Sequence, residues 1–260
     1  PLLIIHGGPV LDHTYLYEHF KPLASDYQLI FYDQRACGQS SIEIDSASMN
    51  IAGFVADIDQ LRKALGHKKM HVLGHSWGGL LAMKYALAHP NQVQRLILSN
   101  TMAPSARDWA IDNLKQAEKI NAQDQKRLDK LVSSGLLRSP QASEYVDEMM
   151  MLAYKSQMYD PKNIERLNLN IPADFPLRNR VFNLLSPDMA RYDLYAALEE
   201  MNTPTLIVFG EKETGIATFG EKMTQILPQA QMELVAKAGH FPFIEQPKAY
   251  FSVVKAFLNK

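Results

Sequence analysis

A single cysteine, Cys37, among 260 residues excludes an internal disulfide and leaves no second thiolate for a metal cluster. Packing alone must hold the fold. Charge of either sign is not in excess: 27 Lys and Arg face 28 Asp and Glu, a formal charge of −1. The bulk electrostatics therefore offer no attraction for nucleic acid or for an anionic membrane, and neither is expected as a partner. No run approaches the roughly 20 apolar residues needed to cross a bilayer. Internal repeats and low-complexity tracts are also lacking. An initiator Met is missing too: Pro1 leads at once into the apolar run Leu2–Ile5, so a preceding segment is expected and a leader upstream stays open. Low cysteine content sets a cytoplasmic expectation. What is present is apolar residues, 47% of the chain, enough for one large core.

Short apolar runs alternate with helical patterns over the first hundred residues. Leu2–Ile5, Gln28–Tyr32, Met70–Leu73 and Arg95–Leu98 read as buried strands. Between them, Ile51, Phe54, Val55, Ile58, Leu61 and Leu65 recur at helical spacing in Asn50–Leu65, and Gly66 supplies the stop. Strand, helix, strand in repeated order implies a mostly parallel sheet with helices on both faces. From Pro104 to Met201 the β-branched runs disappear, and prolines at 140, 161, 172, 176 and 187 punctuate short helical segments. Strand patterns resume at Pro204–Gly210 and Gln231–Val235, and an amphipathic helix over Lys248–Leu258 closes the chain. The expected organisation is an α/β core at 1–103 and 202–260 split by a helical cap at 104–201.

The strongest local signal is Gly74-His75-Ser76-Trp77-Gly78-Gly79, between a strand and the apolar helix Leu80–Ala88. Strand, G-x-S-x-G, helix is a turn that lifts a serine hydroxyl above a sheet at a helix N-terminus, which makes Ser76 the candidate nucleophile. Such a hydroxyl needs a base in reach and an acid to orient the base. His240, in the loop between the last strand and the last helix, is the candidate base. Of the others, His13, His19, His67 and His89 sit in helical or surface contexts, His71 lies in a strand, and His6 reads as a structural hydrogen-bonder. The loop after Thr205–Phe209 carries Glu211 and Glu213; the order serine, acid, histidine favours Glu213, with Glu211 as an exposed turn residue. In His6-Gly7-Gly8-Pro9 the Gly8 N–H could join that of Trp77 in holding an oxyanion. Histidine spacing calls for no metal, and no cofactor is expected.

Together with Asp33-Gln34-Arg35-Ala36-Cys37-Gly38-Gln39-Ser40, these motifs resemble the α/β-hydrolase superfamily and within it the proline iminopeptidase branch. The resemblance implies that fold, a serine hydrolase acting through an acyl-enzyme, two further strands upstream, and a helical cap. Val10 and Ala36 stand where the family usually has Gly, and Glu213 where it usually has Asp. Relatives also hold the substrate ammonium with cap glutamates. Here the similar segment, Asn183–Met189, offers Asp188, with Glu144 and Glu148 as further candidates, while Thr214 follows Glu213. Three readings are therefore carried. One is an aminopeptidase releasing an N-terminal residue, with proline a candidate; another is a carboxylesterase with the same triad; the third is a ligand-binding protein that has lost the reaction. Met149, Met150 and Met151 are expected to fill core gaps.

Overall fold

The computed structural model describes residues 1–8, 10–139 and 141–260, with Arg138 described through its backbone alone; Pro9 of the His6–Pro9 motif and Pro140 of the proline series lie outside the described residues. The core is a parallel sheet of six strands: β1 (Leu2–Ile5), β2 (Leu29–Phe31), β3 (Met70–His75), β4 (Val93–Ser99), β5 (Thr205–Gly210) and β6 (Ala230–Val235), in the order β2-β1-β3-β4-β5-β6. Each expected strand is found. Every residue of β1, β3 and β5 is buried, as expected for strands covered on both faces.

Side chains alternate between two cores, the period of two that a pleated strand imposes. Leu3, Ile5, Val72, Leu96, Leu98, Ile207 and Phe209 join one cluster with residues of α2 (Ile51–Ala64) and α3 (Trp77–Ala88). Leu2, Ile4, Leu73, Ile97, Leu206 and Val208 join the other with α1 (Thr14–Phe20) and the last helix. Asn50 caps α2 by accepting the Gly53 N–H at 2.8 Å, and Gly66 ends it at φ +73°.

Between β4 and β5 the described chain forms no strand. It builds α4 (Ala106–Ala117), α5 (Ala122–Ser133), α6 (Ala142–Gln157), α7 (Phe175–Phe182), α8 (Ser186–Met189) and α9 (Tyr195–Glu199). The two ends of this excursion are tied together, with Ala106 N–H on the Tyr192 carbonyl and Leu194 N–H on that of Pro104, both 2.9 Å. Pro161, Pro176 and Pro187 stand in first turns, where a missing N–H leaves no bond unmade. The chain then adds β5, α10 (Glu221–Ile226), β6, α11 (Pro242–Glu245) and α12 (Pro247–Leu258). Met150 and Met151 pack against the second core.

The sheet register brings the C-terminal strand ends level. Ile5 pairs with Gly74, His75 with Ser99, and Ser99 with Val208. Because β1 lies between β2 and β3, the chain runs outward in both directions from this point, and a crevice opens beyond the strand ends there.

The two departures from the family's glycines have a backbone consequence: Val10 sits at φ +64° and Ala36 at φ +60°. Left-handed backbone costs an L-residue about 1–2 kcal/mol. Ala36 is fully buried, so removing its methyl forfeits about 0.8 kcal/mol while relieving that strain. Ala36→Gly is expected to stay within about 1 kcal/mol of the parent in urea unfolding, whereas β-branched Ala36→Val is expected to lose about 2 kcal/mol or more. Equal losses from both would contradict this account of the turn.

Candidate active site

β3 ends at His75 and α3 begins at Trp77, so Ser76 alone makes the turn, at φ 55°, ψ −121°. Two glycines make so sharp a reversal possible. A Cβ on Gly74 would lie 2.2 Å from the Gly78 carbonyl oxygen, and one on Gly78 would lie 2.2 Å from that of Ile5. The G-x-S-x-G spacing is thus set by backbone packed on backbone. Within this turn only Ser76 escapes full burial; residues 70–75 and 77–83 are buried. Its side chain opens into a cavity of about 430 Å³ beyond the strand ends, which His240, Glu213, Gly8 and Trp77 also line.

His240 and Glu213 are paired, Nδ1 to Oε2 at 2.7 Å. The same carboxylate oxygen accepts from Asn100 Nδ2 at 2.7 Å, and its other oxygen accepts from Gln116 Nε2. Burial pushes the Glu213 carboxyl up, but the imidazole of His240, its hydrogen bond, Asn100 and nearby Lys119 outweigh it and take the group down to about 2. Glu213 is therefore ionised at neutral pH, and Nε2 of His240 is the ring atom left for proton transfer. Glu211, by contrast, is exposed. The His240 loop is braced from the inserted helices: His240 N–H donates to the Gln157 carbonyl at 3.0 Å. Glu245 accepts from Gly239 N–H at 2.6 Å and from the N–H groups of Tyr159 and Asp160 at 3.1 Å.

Behind the serine runs a buried chain of hydrogen bonds. His75 Nε2 lies 2.9 Å from the His240 carbonyl and so carries the proton, leaving Nδ1 to accept from the Tyr15 hydroxyl at 2.7 Å. Tyr15 in turn accepts the Gly7 N–H at 2.7 Å. One chain thus links the loop after β1, the residue before Ser76 and the His240 loop. The Asp33-Gln34-Arg35 segment supports the same corner. Gln34 bonds the His6 carbonyl at 2.7 Å and receives Trp77 Nε1 at 2.8 Å, while Arg35 holds Asp57 through two 2.7 Å bonds. His6 is a hydrogen-bonder, with Nε2 accepting the Gln34 N–H at 3.2 Å.

The Trp77 N–H belongs to the unpaired first turn of α3, and with Gly8 on the same cavity wall the two N–H groups can serve a developing oxyanion. The three acids named for amine binding do not reach this cavity. Asp188 Oδ2 accepts the Ile51 N–H at 2.7 Å and so caps α2, because α8 docks on that helix end. Glu148 is held by Arg127 through two 2.6 Å bonds, and Glu144 is exposed on α6. Besides Glu213, the acid that lines the cavity is Asp112 of α4, with Asn113 and Gln116 beside it. On α4 the apolar Ile111 and Leu114 stand exposed while Asp112 and Gln116 are half-buried, so its hydrophobic pattern does not mark the inward face. Among the described residues no group of three or more His, Cys, Asp or Glu is placed to hold a metal ion. Nor, among them, is any helix long and apolar enough to cross a membrane.

A sequence profile of the alpha/beta hydrolase fold matches residues 1–247. The chain belongs to the α/β-hydrolase family. It is 27% identical to the proline iminopeptidase of Heyndrickxia coagulans over 270 residues, covering 100% of this chain and 90% of that one. With the proline iminopeptidase of Lactobacillus delbrueckii subsp. lactis it shares 30% identity, covering 99% of this chain and 90% of the relative. These relatives place it in the proline iminopeptidase branch, as a hydrolase. Among solved structures, a proline iminopeptidase from Mycobacterium smegmatis superposes with a TM-score of 0.75 at 20% identity, covering 100% of this chain and 89% of that one. A thermophilic esterase from Thermogutta terrifontis does so at 0.69 and 22%, with 100% and 89% coverage. At such identities the two likenesses speak for the fold.

Two fully buried histidines of this corner carry a pH consequence. Burial takes His6 from 6.5 down to about 4 and, with repulsion from His240, takes His75 down to about 3. The unfolded chain therefore binds more protons than the folded one below about pH 6.5, and the stability these neutral rings contribute above that pH drains away as the pH falls toward 4 and 3. Urea midpoints are expected to drop between pH 7.5 and 5, and less so in His75→Gln. A midpoint that rises on acidification would contradict the neutral assignment.

Proposed function

We propose that this chain is a serine hydrolase of the aminopeptidase type, releasing an N-terminal residue, with proline a candidate, from short peptides through an acyl-enzyme. The observation that carries the reading is the convergence on one cavity of Ser76, on a strained turn, and His240, whose Nδ1 is fixed by ionised Glu213. In this reading Ser76 Oγ attacks the carbonyl carbon of the N-terminal residue while its proton passes to His240 Nε2. The Gly8 and Trp77 N–H groups hold the oxyanion. The C–N bond then breaks as His240 returns the proton to the departing amine, leaving an ester on Ser76. Water attacks that ester by the same route, giving its proton to His240, and the free amino acid leaves as Oγ regains a proton. Glu213 holds the tautomer and offsets the charge of the imidazolium.

The segment 104–201 acts as a cap in this proposal. Trp109, Phe182, Leu185 and Met189 from it line the cavity opposite the strand ends and keep water from the reacting centre. That apolar wall also suits an acyl chain, which is the specific observation favouring carboxylesterase activity as the second reading.

Comparing L-proline p-nitroanilide with p-nitrophenyl butyrate separates the two. The aminopeptidase reading expects turnover of the anilide and little of its N-acetylated form; efficient ester cleavage without anilide cleavage would install the esterase reading instead. On whichever substrate turns over, Ser76→Ala is expected to lower kcat on the order of 10³-fold or more. Glu213→Gln should lower it by about 10²–10⁴-fold and Glu213→Asp by less. Full activity in the Gln variant would move the orienting role to another carboxylate.

A further inference from the structure

Glu213 is held from two sides, and one of them is the inserted segment. Its Oε2 accepts from His240 Nδ1 and from Asn100 Nδ2, each at 2.7 Å, whereas among the described residues Oε1 has Gln116 Nε2 as its one hydrogen-bond partner. Gln116 must present its NH₂ here, because a carboxylate accepts and does not donate. A glutamate brings one rotatable bond more than an aspartate would, and the bond that turns its carboxylate plane has a broad minimum. Donors on Oε2 alone would let the plane swing about that oxygen, and the lone pair aimed at Nδ1 would swing with it. A donor on Oε1 fixes the plane.

Gln116 is itself held in place. It is half-buried in the last turn of α4. Lys115 Nζ, beside it, donates to Thr218 Oγ1 at 3.1 Å, and Lys119, one turn on from Lys115, donates to the Lys212 carbonyl at 2.6 Å. The two acceptors flank Glu213 in the segment after β5. On the other side of that segment Lys212 Nζ donates to the carbonyl of Met158, the residue just past α6, at 2.6 Å. The loop that carries the acid is thus gripped between α4 and the end of α6. On α4, moreover, Leu114 stays 68% exposed while Gln116 turns inward, the reverse of what apolar burial alone would choose.

We propose that Gln116 is a positioning residue of the reaction: by fixing the Glu213 carboxylate it aims the bond from Glu213 to His240, so that the set of Ser76, His240 and Glu213 is complete only while α4 is docked. The proposal rests on the serine-hydrolase reading and is indifferent to whether the substrate is a peptide or an ester. Gln116 also lines the cavity, so direct contact with the substrate is the rival role that the test must separate.

Gln116→Met keeps the length of the side chain and removes the donor, while Gln116→Glu sets a second carboxylate against Glu213. Thermal unfolding checks that each variant folds. On whichever substrate turns over, Gln116→Met is expected to lower kcat on the order of tenfold, as loss of a hydrogen bond to a charged group would, and to leave KM little changed. Gln116→Glu should lower kcat further, because like charges repel. In a Glu213→Gln background, Gln116→Met should cost less than about twofold, since no carboxylate is left to aim. A rise in KM at constant kcat, the same loss of kcat in both backgrounds, or a Gln116→Glu variant faster than the parent overturns the assignment. The far-downfield proton NMR signal of His240 Nδ1–H, identified by its absence in His240→Ala, reads the same geometry without turnover and is expected to move upfield in Gln116→Met. An unmoved signal contradicts the proposal, whereas a moved signal in a protein that turns over neither substrate sinks only the serine-hydrolase reading.

Discussion

Much of the site depends on keeping one buried charge satisfied. Glu213 lies behind His240 with a side chain only 5% exposed, and an ionised carboxylate in that position without donors would be several kcal/mol unfavourable. Three donors remove the penalty: His240 Nδ1, Asn100 Nδ2 and Gln116 Nε2. They come from three parts of the chain, namely the last loop, the residue just after β4, and the first helix of the inserted segment. Satisfying Glu213 therefore fixes the imidazole, locks the end of β4 and docks α4 over the strand ends.

A second constraint acts on the serine. Backbone packed on backbone at Gly74 and Gly78 leaves no room to relax the turn, so the strain at Ser76 is held by β1, β3 and α3 together. The Tyr15–His75 chain carries that rigidity to the His240 carbonyl, and Glu245 carries it on to the segment after α6. The Ser76 hydroxyl and the His240 ring are thus placed by elements that cannot shift one at a time.

The strands were legible because each is a short apolar run buried on both faces, and Ser76, His240 and Glu213 were singled out because strand ends, chain order and motif agree on them. Asp188 was named from similarity in a short segment, which says nothing about which surface that segment packs on; its carboxylate accepts from the N-terminus of α2. Asp112 and Gln116 were not legible as cavity residues, since on α4 the apolar Ile111 and Leu114 are exposed and docking rather than a hydrophobic stripe chooses the inward face. Glu245 and Tyr15 escaped notice for a related reason. Glu245 reaches the N–H groups of Tyr159 and Asp160 and Tyr15 reaches the His75 ring, all distant in sequence, and no local pattern marks them. Ala36 is the opposite case: the position was visible as a missing glycine, and its positive φ supplies the reason glycine is favoured there.

The central claim is that the Ser76 hydroxyl is the group made nucleophilic by this arrangement. The most direct measurement is the mass of the intact protein after treatment with a fluorophosphonate, followed by peptide mapping of the adduct. The account predicts one adduct, located on Ser76, formed rapidly in the parent and lost in a folded His240→Ala variant. An adduct on another serine, or equally fast labelling without His240, would contradict it.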